Sequence, residues 1–252
     1  NACHSVGGDG RMQLRPGGVM PSLTPTMAPL GLGQAGPIAP SGIDEPAVLA
    51  ALAGLDLSGN EEGFIPRFGV MLTRHFANFY NRITFEFLHR MQGSGLEAEA
   101  EALLTDAGYH CAFRTCGGVM TSAEWDAVVR PMIRTEDDWV HGMIAVVNAL
   151  GWGTWRIQDL GPDRVVLRVW DDYEGNGYLS MYGPTRQPVS FLHMGGIAGI
   201  MHLIRFGRIM DRPALTDAFY EACLDVERPF VPRLTSSVAA GDPFTEIVAE
   251  RG

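Results

Sequence analysis

Leu150-Gly151-Trp152-Gly153-Thr154-Trp155 opens the stretch that decides the fold. It closes on Val189-Ser190-Phe191-Leu192-His193-Met194-Gly195-Gly196-Ile197-Ala198-Gly199-Ile200-Met201-His202-Leu203-Ile204-Arg205-Phe206. Between the two, Thr154–Leu160 and Arg164–Trp170 read as strands joined by Gly161-Pro162-Asp163, a turn sequence. The second run is β-branched and suits a sheet. Asp171–Gly177 reads as a polar turn, with Asp171, Asp172 and Glu174 solvated, and Tyr178–Tyr182 as a third strand. Val189–Phe206 reads as a helix with glycines at 195, 196 and 199, each costing about 1 kcal/mol relative to alanine. That cost makes sense if the helix lies very close to the sheet or to a ligand. The expectation is a concave, mostly apolar hollow between meander and helix, suited to a ligand.

Before this stretch the chain reads as helical. Asp44-Glu45-Pro46 is a helix start, leading Ala47–Leu55. Val70–Gln92 reads as a long helix whose buried face is Phe76, Phe79, Tyr80, Ile83, Phe87 and Met91. Leu96–Ala107 follows and stops at Gly108, placing Cys111 and Cys116 in a loop. Ser122 starts a short helix broken at Arg130-Pro131. Thr135–Asp138 resembles a capping box that launches Trp139–Leu150. After the stretch come a helix over Pro213–Glu227 and a hairpin of Arg233–Ala239 and Phe244–Ala249 around Gly241-Asp242-Pro243. Helices followed by strands predict an α+β fold: N-terminal helices, then an antiparallel sheet with a Gly-rich helix packed on it and a C-terminal hairpin.

The 252 residues suffice for one large domain, and 46% apolar with 19% charged residues can form a core. Residues 1–42 hold nine Gly and six Pro and no Phe, Tyr or Trp. They read as an extended leader, a strap on a partner or on the chain's own body, with residues 43–252 as a single domain. The first residue is not Met, so the expectation is processing or a start inside a longer product. Cys3-His4 would complete a c-type haem motif only with a preceding cysteine that is not present. Net charge −10 without a basic run excludes a nucleic-acid backbone as partner. Four cysteines over this length are too few for a disulfide scaffold. No apolar run reaches membrane-spanning length, and a soluble, cytoplasmic protein is expected.

Gly151-Trp152-Gly153 before a strand, the two-strand meander, a Gly-rich helix preceded by Phe191-Leu192-His193, and the terminal hairpin with Gly241-Asp242-Pro243 together resemble the 4-vinyl reductase domain family over about residues 135–250. The resemblance implies a small α+β domain, often dimeric, with an enclosed apolar pocket. Members of that family include an accessory protein of bacteriochlorophyll synthesis and the aromatic-sensing domains of phenol-type activators. The sensing members carry zinc on cysteines near the terminal hairpin. Here Ser237 and Thr245 stand where those cysteines would be, and neutral hydroxyls are poor zinc ligands. No zinc or other cofactor is therefore expected at that position.

The candidate ligand-binding residues are Trp152, Trp155, Tyr173, Tyr182, Phe191, His193 and Met194. Binding there would rest on apolar burial, with His193 or a tyrosine fixing orientation. His110, Cys111 and Cys116 are the densest set of soft metal ligands, although C-x4-C lacks a second pair. Asp137 and His141, at i,i+4, share a helix face and could form an oriented base. His193 and His202, nine apart, point to nearly opposite sides of one helix. Three readings follow. The first is a module binding a small hydrophobic, aromatic or tetrapyrrole-like molecule, with a protein partner or homodimer. The second is an accessory subunit docking through its leader onto a larger enzyme or pigment complex. The third is a hydrolase or reductase using His193 or Asp137/His141. No nucleophile elbow, dinucleotide fingerprint or metal-binding helix pair supports the third.

Overall fold

The β-branched runs pair as their alternation requires. The computed structural model describes residues 39–252. In chain order the elements are α1 (Glu45–Ala53), β1 (Ile65–Arg67), β2 (Val70–Leu72), α2 (Ala77–Met91), α3 (Glu97–Thr121), α4 (Ala123–Val128), α5 (Glu136–Ala149), β3 (Thr154–Leu160), β4 (Arg164–Trp170), α6 (Tyr173–Tyr182), α7 (Phe191–Arg205), α8 (Asp217–Leu224), β5 (Phe230–Ser236) and β6 (Thr245–Arg251). The fold is α+β. One antiparallel sheet runs β3-β4-β6-β5 and a second pairs β1 with β2. In the larger sheet Ile157 pairs with Leu167, and Leu167 with Ile247, so one buried row crosses three strands. The terminal hairpin forms, shifted towards the N-terminus: Phe230 already pairs with Arg251, and Val238–Ala240 is a 3-10 turn.

Against the sheet packs α7, with Ile197, Ile200, Leu203 and Ile204 fully or almost fully buried. The other side of α7 meets α3. Here the glycines find their use. A Cβ at Gly195 would lie 1.9 Å from the Thr105 carbonyl oxygen, and one at Gly199 would lie 2.6 Å from that of Tyr109. A Cβ at Gly108 would strike the Leu192 backbone at 2.6 Å. The two helices therefore touch backbone to backbone, and α3 itself fills the hollow expected beside Gly195 and Gly199. Gly196 differs, since its nearest neighbours, Ala112 and Trp155, stand at 4.0 Å.

Several elements depart from the sequence reading. Gly108 does not stop a helix: α3 runs on to Thr121, and Cys111 and Cys116 lie inside it. Long-range packing against α7 outweighs the local glycine penalty. Val70–Leu72 is a strand paired with Ile65–Arg67, not the start of α2. On α2 the buried residues are Asn81, Thr84 and Phe85, whereas Phe76, Phe79, Tyr80 and Ile83 are exposed. The periodicity marked an apolar face, and this one is turned outward. Tyr178–Tyr182 is helical, because Asp172 caps the N-terminus of α6 by accepting from Glu174 N and Gly175 N. The Thr135/Asp138 capping box forms as read, and β3 and β4 occupy the residues expected of them.

Of the Gly/Pro-rich leader, only residues 39–42 are among those described. Ala39 N donates to Ile157 O at the β3 edge (2.9 Å), and Gly42 N donates to Asp138 Oδ1 (2.8 Å). The Cys3-His4 pair lies outside the described residues. Among those described, no helix is long and apolar enough to cross a membrane.

Gly195→Ala should destabilise the protein by about 3 kcal/mol, because overpacking at a backbone contact must part α3 from α7. Gly196→Ala should be neutral or stabilising by up to about 1 kcal/mol. Urea unfolding midpoints of the two variants check this pair.

Candidate functional site

Two glycines set the geometry. Gly151 and Gly153 take φ of 84° and 117°, left-handed values that side chains disfavour. The turn aims the Trp152 carbonyl inward, where it meets the Trp155 indole N–H (3.1 Å) and His193 Nε2 (3.2 Å). A carbonyl oxygen only accepts, so Nε2 carries a proton. The other ring nitrogen, Nδ1, lies 3.0 Å from Asp172 Oδ1 and 3.1 Å from Glu174 Oε2. It sits off the line of a well-directed hydrogen bond to either, so the contact is chiefly ionic. Asp172, Glu174 and His193 are all buried.

The two acids are also structural caps. Asp172 Oδ2 accepts from Ser190 Oγ (2.5 Å) and Thr245 Oγ1 (2.6 Å), while Oδ1 caps α6. Glu174 accepts from Leu192 N (3.2 Å) and His193 N (3.0 Å), the first turn of α7. That placement uses the positive end of the helix dipole. Burial pushes the His193 imidazole down, but the two carboxylates outweigh it and hold the group at about 10. Burial raises Asp172, yet the His193 charge and its hydrogen bonds bring it to about 2. Glu174 is raised, with burial exceeding what His193 returns. The trio is thus an imidazolium clasped by acids, and His193 has no lone pair free to act as a base.

The aromatic residues expected at a pocket are split. Trp155 and Tyr173 face His193, with ring centroids at 5.2 Å and 4.8 Å, and Trp152 stands edge-on to Tyr173. Phe191 and Met194 belong to the core. Tyr182 sits apart, against Phe85 and His89. His202 is buried elsewhere, its Nε2 at 2.5 Å from the Cys223 carbonyl. Asp172 and Glu174, read as solvated, are buried. Glycines at 175 and 177 masked the capping aspartate as a turn. Thr245 donates to Asp172, and Ser237 caps the turn after β5.

The other charge-bearing candidates do not converge. Asp137 pairs with Arg205 (2.5 Å), not with His141. Cys111 is exposed, whereas Cys116 is buried and its thiol is pushed up to about 12 by burial. His110 instead lies near Asp106, at 3.5 Å. Among the described residues no set of three or more His, Cys, Asp or Glu side chains is arranged to hold a metal.

A small cleft lies beyond Trp155. It is bounded by Ser41 and Ile43 of the segment leading into α1, Glu45 of α1, His141, Ile144 and Ala145 of α5, and Ile157 of β3. Its volume is about 10 Å³, room for about one water. Glu45 Oε1 is fixed by Asn148 Nδ2 (2.6 Å) and Arg156 Nη1 (3.1 Å). Burial lowers His141, against the opposing pull of Asp138, Asp137 and Glu45. Its imidazole is therefore neutral at pH 7, able to donate or accept one hydrogen bond. Asp137 lies close enough to act on the His141 charge but pairs with Arg205, and sequence reading did not place Ser41 and Glu45 beside His141, since nothing local puts the 41–45 segment over α5.

The trio should shape stability against pH. A raised His193 contributes fully below the unfolded value near 6.5 and is lost as pH rises through about 10. A depressed Asp172 contributes above about 3.9 and is lost as pH falls towards about 2. Stability from His193 and Asp172 together should peak between about pH 4 and pH 6.5, and the raised Glu174 works against it as pH climbs past the ordinary carboxylate range. His193→Gln should cost about 3–5 kcal/mol there, as expected for one partner removed from a buried pair, and should flatten the alkaline limb. Urea titrations across pH measure both.

No protein-family model and no curated protein matches the chain. Among solved structures it is similar to the phenol-responsive sensory domain of the transcription activator PoxR, crystallised with phenol. That match has 14% identity and a TM-score of 0.59, over 82% of this chain and 90% of that one. A trafficking protein particle complex subunit 3 from Naegleria fowleri, covalently bound to palmitic acid, matches at 11% identity and a TM-score of 0.45, over 70% of this chain and 95% of that one. The first likeness establishes a shared fold.

Proposed function

We propose that this chain is a binding module for a small hydrophobic or aromatic molecule, of the kind the 4-vinyl reductase domain resemblance implies. The observation that carries the reading is the cleft, where a buried neutral His141, the Glu45 carboxylate and the Trp155 ring meet between apolar walls. Such a site, apolar with a few fixed polar groups, is what a small ligand with one hydroxyl requires. The fold shared with a phenol-responsive sensory domain supports the same reading. At about 10 Å³ the cleft is too small for an aromatic ring, so entry needs the 39–45 segment to lift and close again over the ligand. A phenol-sized ring fits such a movement far better than a tetrapyrrole, and we place bacteriochlorophyll chemistry outside the reading.

Phenol, cresols and catechol, titrated against Trp155 fluorescence and thermal stability, test it. Binding should saturate and raise the melting temperature. Ala145→Leu, which fills the cleft, should weaken binding at least about tenfold, about 1.4 kcal/mol, with the fold intact. Absence of binding by every probe, or binding indifferent to Ala145→Leu, contradicts the reading. A second reading, a chain that works against a protein partner or as a homodimer, is favoured by the outward aromatic face of α2.

A further inference from the structure

His141 and His193 are both buried, but their neighbours differ. His193 Nδ1 has a carboxylate oxygen at 3.0 Å and another at 3.1 Å. His141, 7% exposed on α5, lines the small cleft with Ser41, Glu45 and Trp155. Neither of its ring nitrogens hydrogen-bonds to a described residue.

Charged groups do stand around the ring. Glu45 acts on it from α1, and Asp137 and Asp138 lie on its own helix. Behind two of these acids are Arg156 of β3 and Arg205 of α7. Each acid is already committed. Glu45 Oε1 accepts from Asn148 and Arg156, and Asp137 pairs with Arg205. Asp138 accepts from Gly42 N, Arg134 N and Thr135 N. An imidazolium formed in the closed cleft would have no carboxylate of its own and room for about one water. Burial therefore outweighs the three acids and keeps the ring neutral.

The cover over this ring is lightly fastened. Ala39 N donates to Ile157 O (2.9 Å), Gly42 N to Asp138 Oδ1 (2.8 Å), and Asp44 N to Met132 Sδ (3.4 Å), a weak acceptor. Between Pro40 and Asp44 only Ile43 is buried. The one charged side chain on the cover, Asp44, is turned to cap α1.

We infer that protonation of His141 lifts the 39–44 stretch, so that the cleft opens in mildly acidic solution and closes at neutral pH. Lifting the cover gives the imidazolium the water that the closed cleft denies it. The open form, with its ring in water and an ordinary value near 6.5, binds the proton more tightly than the closed form, so acid favours it. Burial raises the Asp138 carboxyl, but its backbone donors Gly42, Arg134 and Thr135 bring it below the usual carboxylate range. The Gly42 hydrogen bond is thus not itself the sensor. The use of such opening to a ligand rests on the binding reading above, whereas the opening is a property of the free chain.

Hydrogen exchange of the full chain without ligand, at pH 7.5 and pH 5.5, tests it, each amide being compared with its unstructured rate at the same pH. Protection of the Ala39 and Gly42 amides should fall about three- to tenfold at pH 5.5, tenfold being the limit for one group one pH unit below its ordinary value. At both pH values it should stay well below the protection of β4, as local opening requires. In His141→Gln and His141→Phe, which cannot take up the proton, protection at 39 and 42 should be equal at the two pH values. Unchanged protection in the unaltered chain, or a fall that persists in both variants, overturns the inference. Phenol bound at pH 7.5 by a chain whose cover ignores pH would overturn this inference and leave the small-molecule reading standing. Opening at pH 5.5 with no probe bound at either pH would do the reverse.

Discussion

One buried imidazolium ties together the turn before β3, the start of α6, the start of α7 and, through Asp172, the start of β6. His193 lies between Asp172 and Glu174, and each of these three groups also satisfies backbone or hydroxyl partners on a different element. Asp172 caps α6 two residues after β4 ends and reaches Ser190 and Thr245. Glu174 closes the first turn of α7. His193 returns to the Trp152 carbonyl in the turn before β3. A charge taken out of water is costly unless it is paired and hydrogen-bonded, and here both acids are saturated with donors. That requirement fixes the entry of α7, from which the remaining helices take their places.

From that anchor α7 runs between the sheet and α3. Its small residues serve the second contact. At Gly195 and Gly199 the backbones of the two helices meet, and no room is left for a guest on that side. The binding we propose lies instead on the far side of Trp155, at the cleft. There, one side chain contributes to both places: its indole N–H serves the turn that receives His193, and its ring lines the cleft with His141. A ligand in the cleft would press on the same tryptophan that packs against the trio. This gives a short physical route from occupancy to the orientation of α6 and α7.

The parts of the fold legible in the sequence were those with local causes. The β-branched run of β4, the Gly161-Pro162-Asp163 turn and the Thr135 capping box each dictate their own structure. Failures came where a distant surface decided. Gly108 reads as a helix stop because its partner, the Leu192 backbone, is 84 positions away. The α2 stripe reads as core because periodicity reports an apolar face without saying what covers it. Asp172 and Glu174 read as solvated because acids beside glycines usually are. Their burial depends on His193, Ser190 and Thr245 arriving from elsewhere. For the candidate site, His193, Trp155, Trp152 and Tyr173 were singled out from aromatic and imidazole content, and these four lie together. Their common purpose was not legible, since charge pairing is a property of the assembled site. Glu45 reads only as the first-turn acid of α1, and Ser41 carries no local signal of a cleft.

The central claim is that His193 is charged and doubly protonated well above neutral pH. Nitrogen-15 NMR of the histidine side chains at pH 8 tests it most directly. An ordinary imidazole with a value near 6.5 is neutral at that pH, so the contrast with His141 is internal to the same spectrum. The account predicts that both ring nitrogens of His193 bear slowly exchanging protons, and that His141 shows one protonated and one bare nitrogen. A neutral His193 ring at pH 8, with one bare nitrogen, would contradict it.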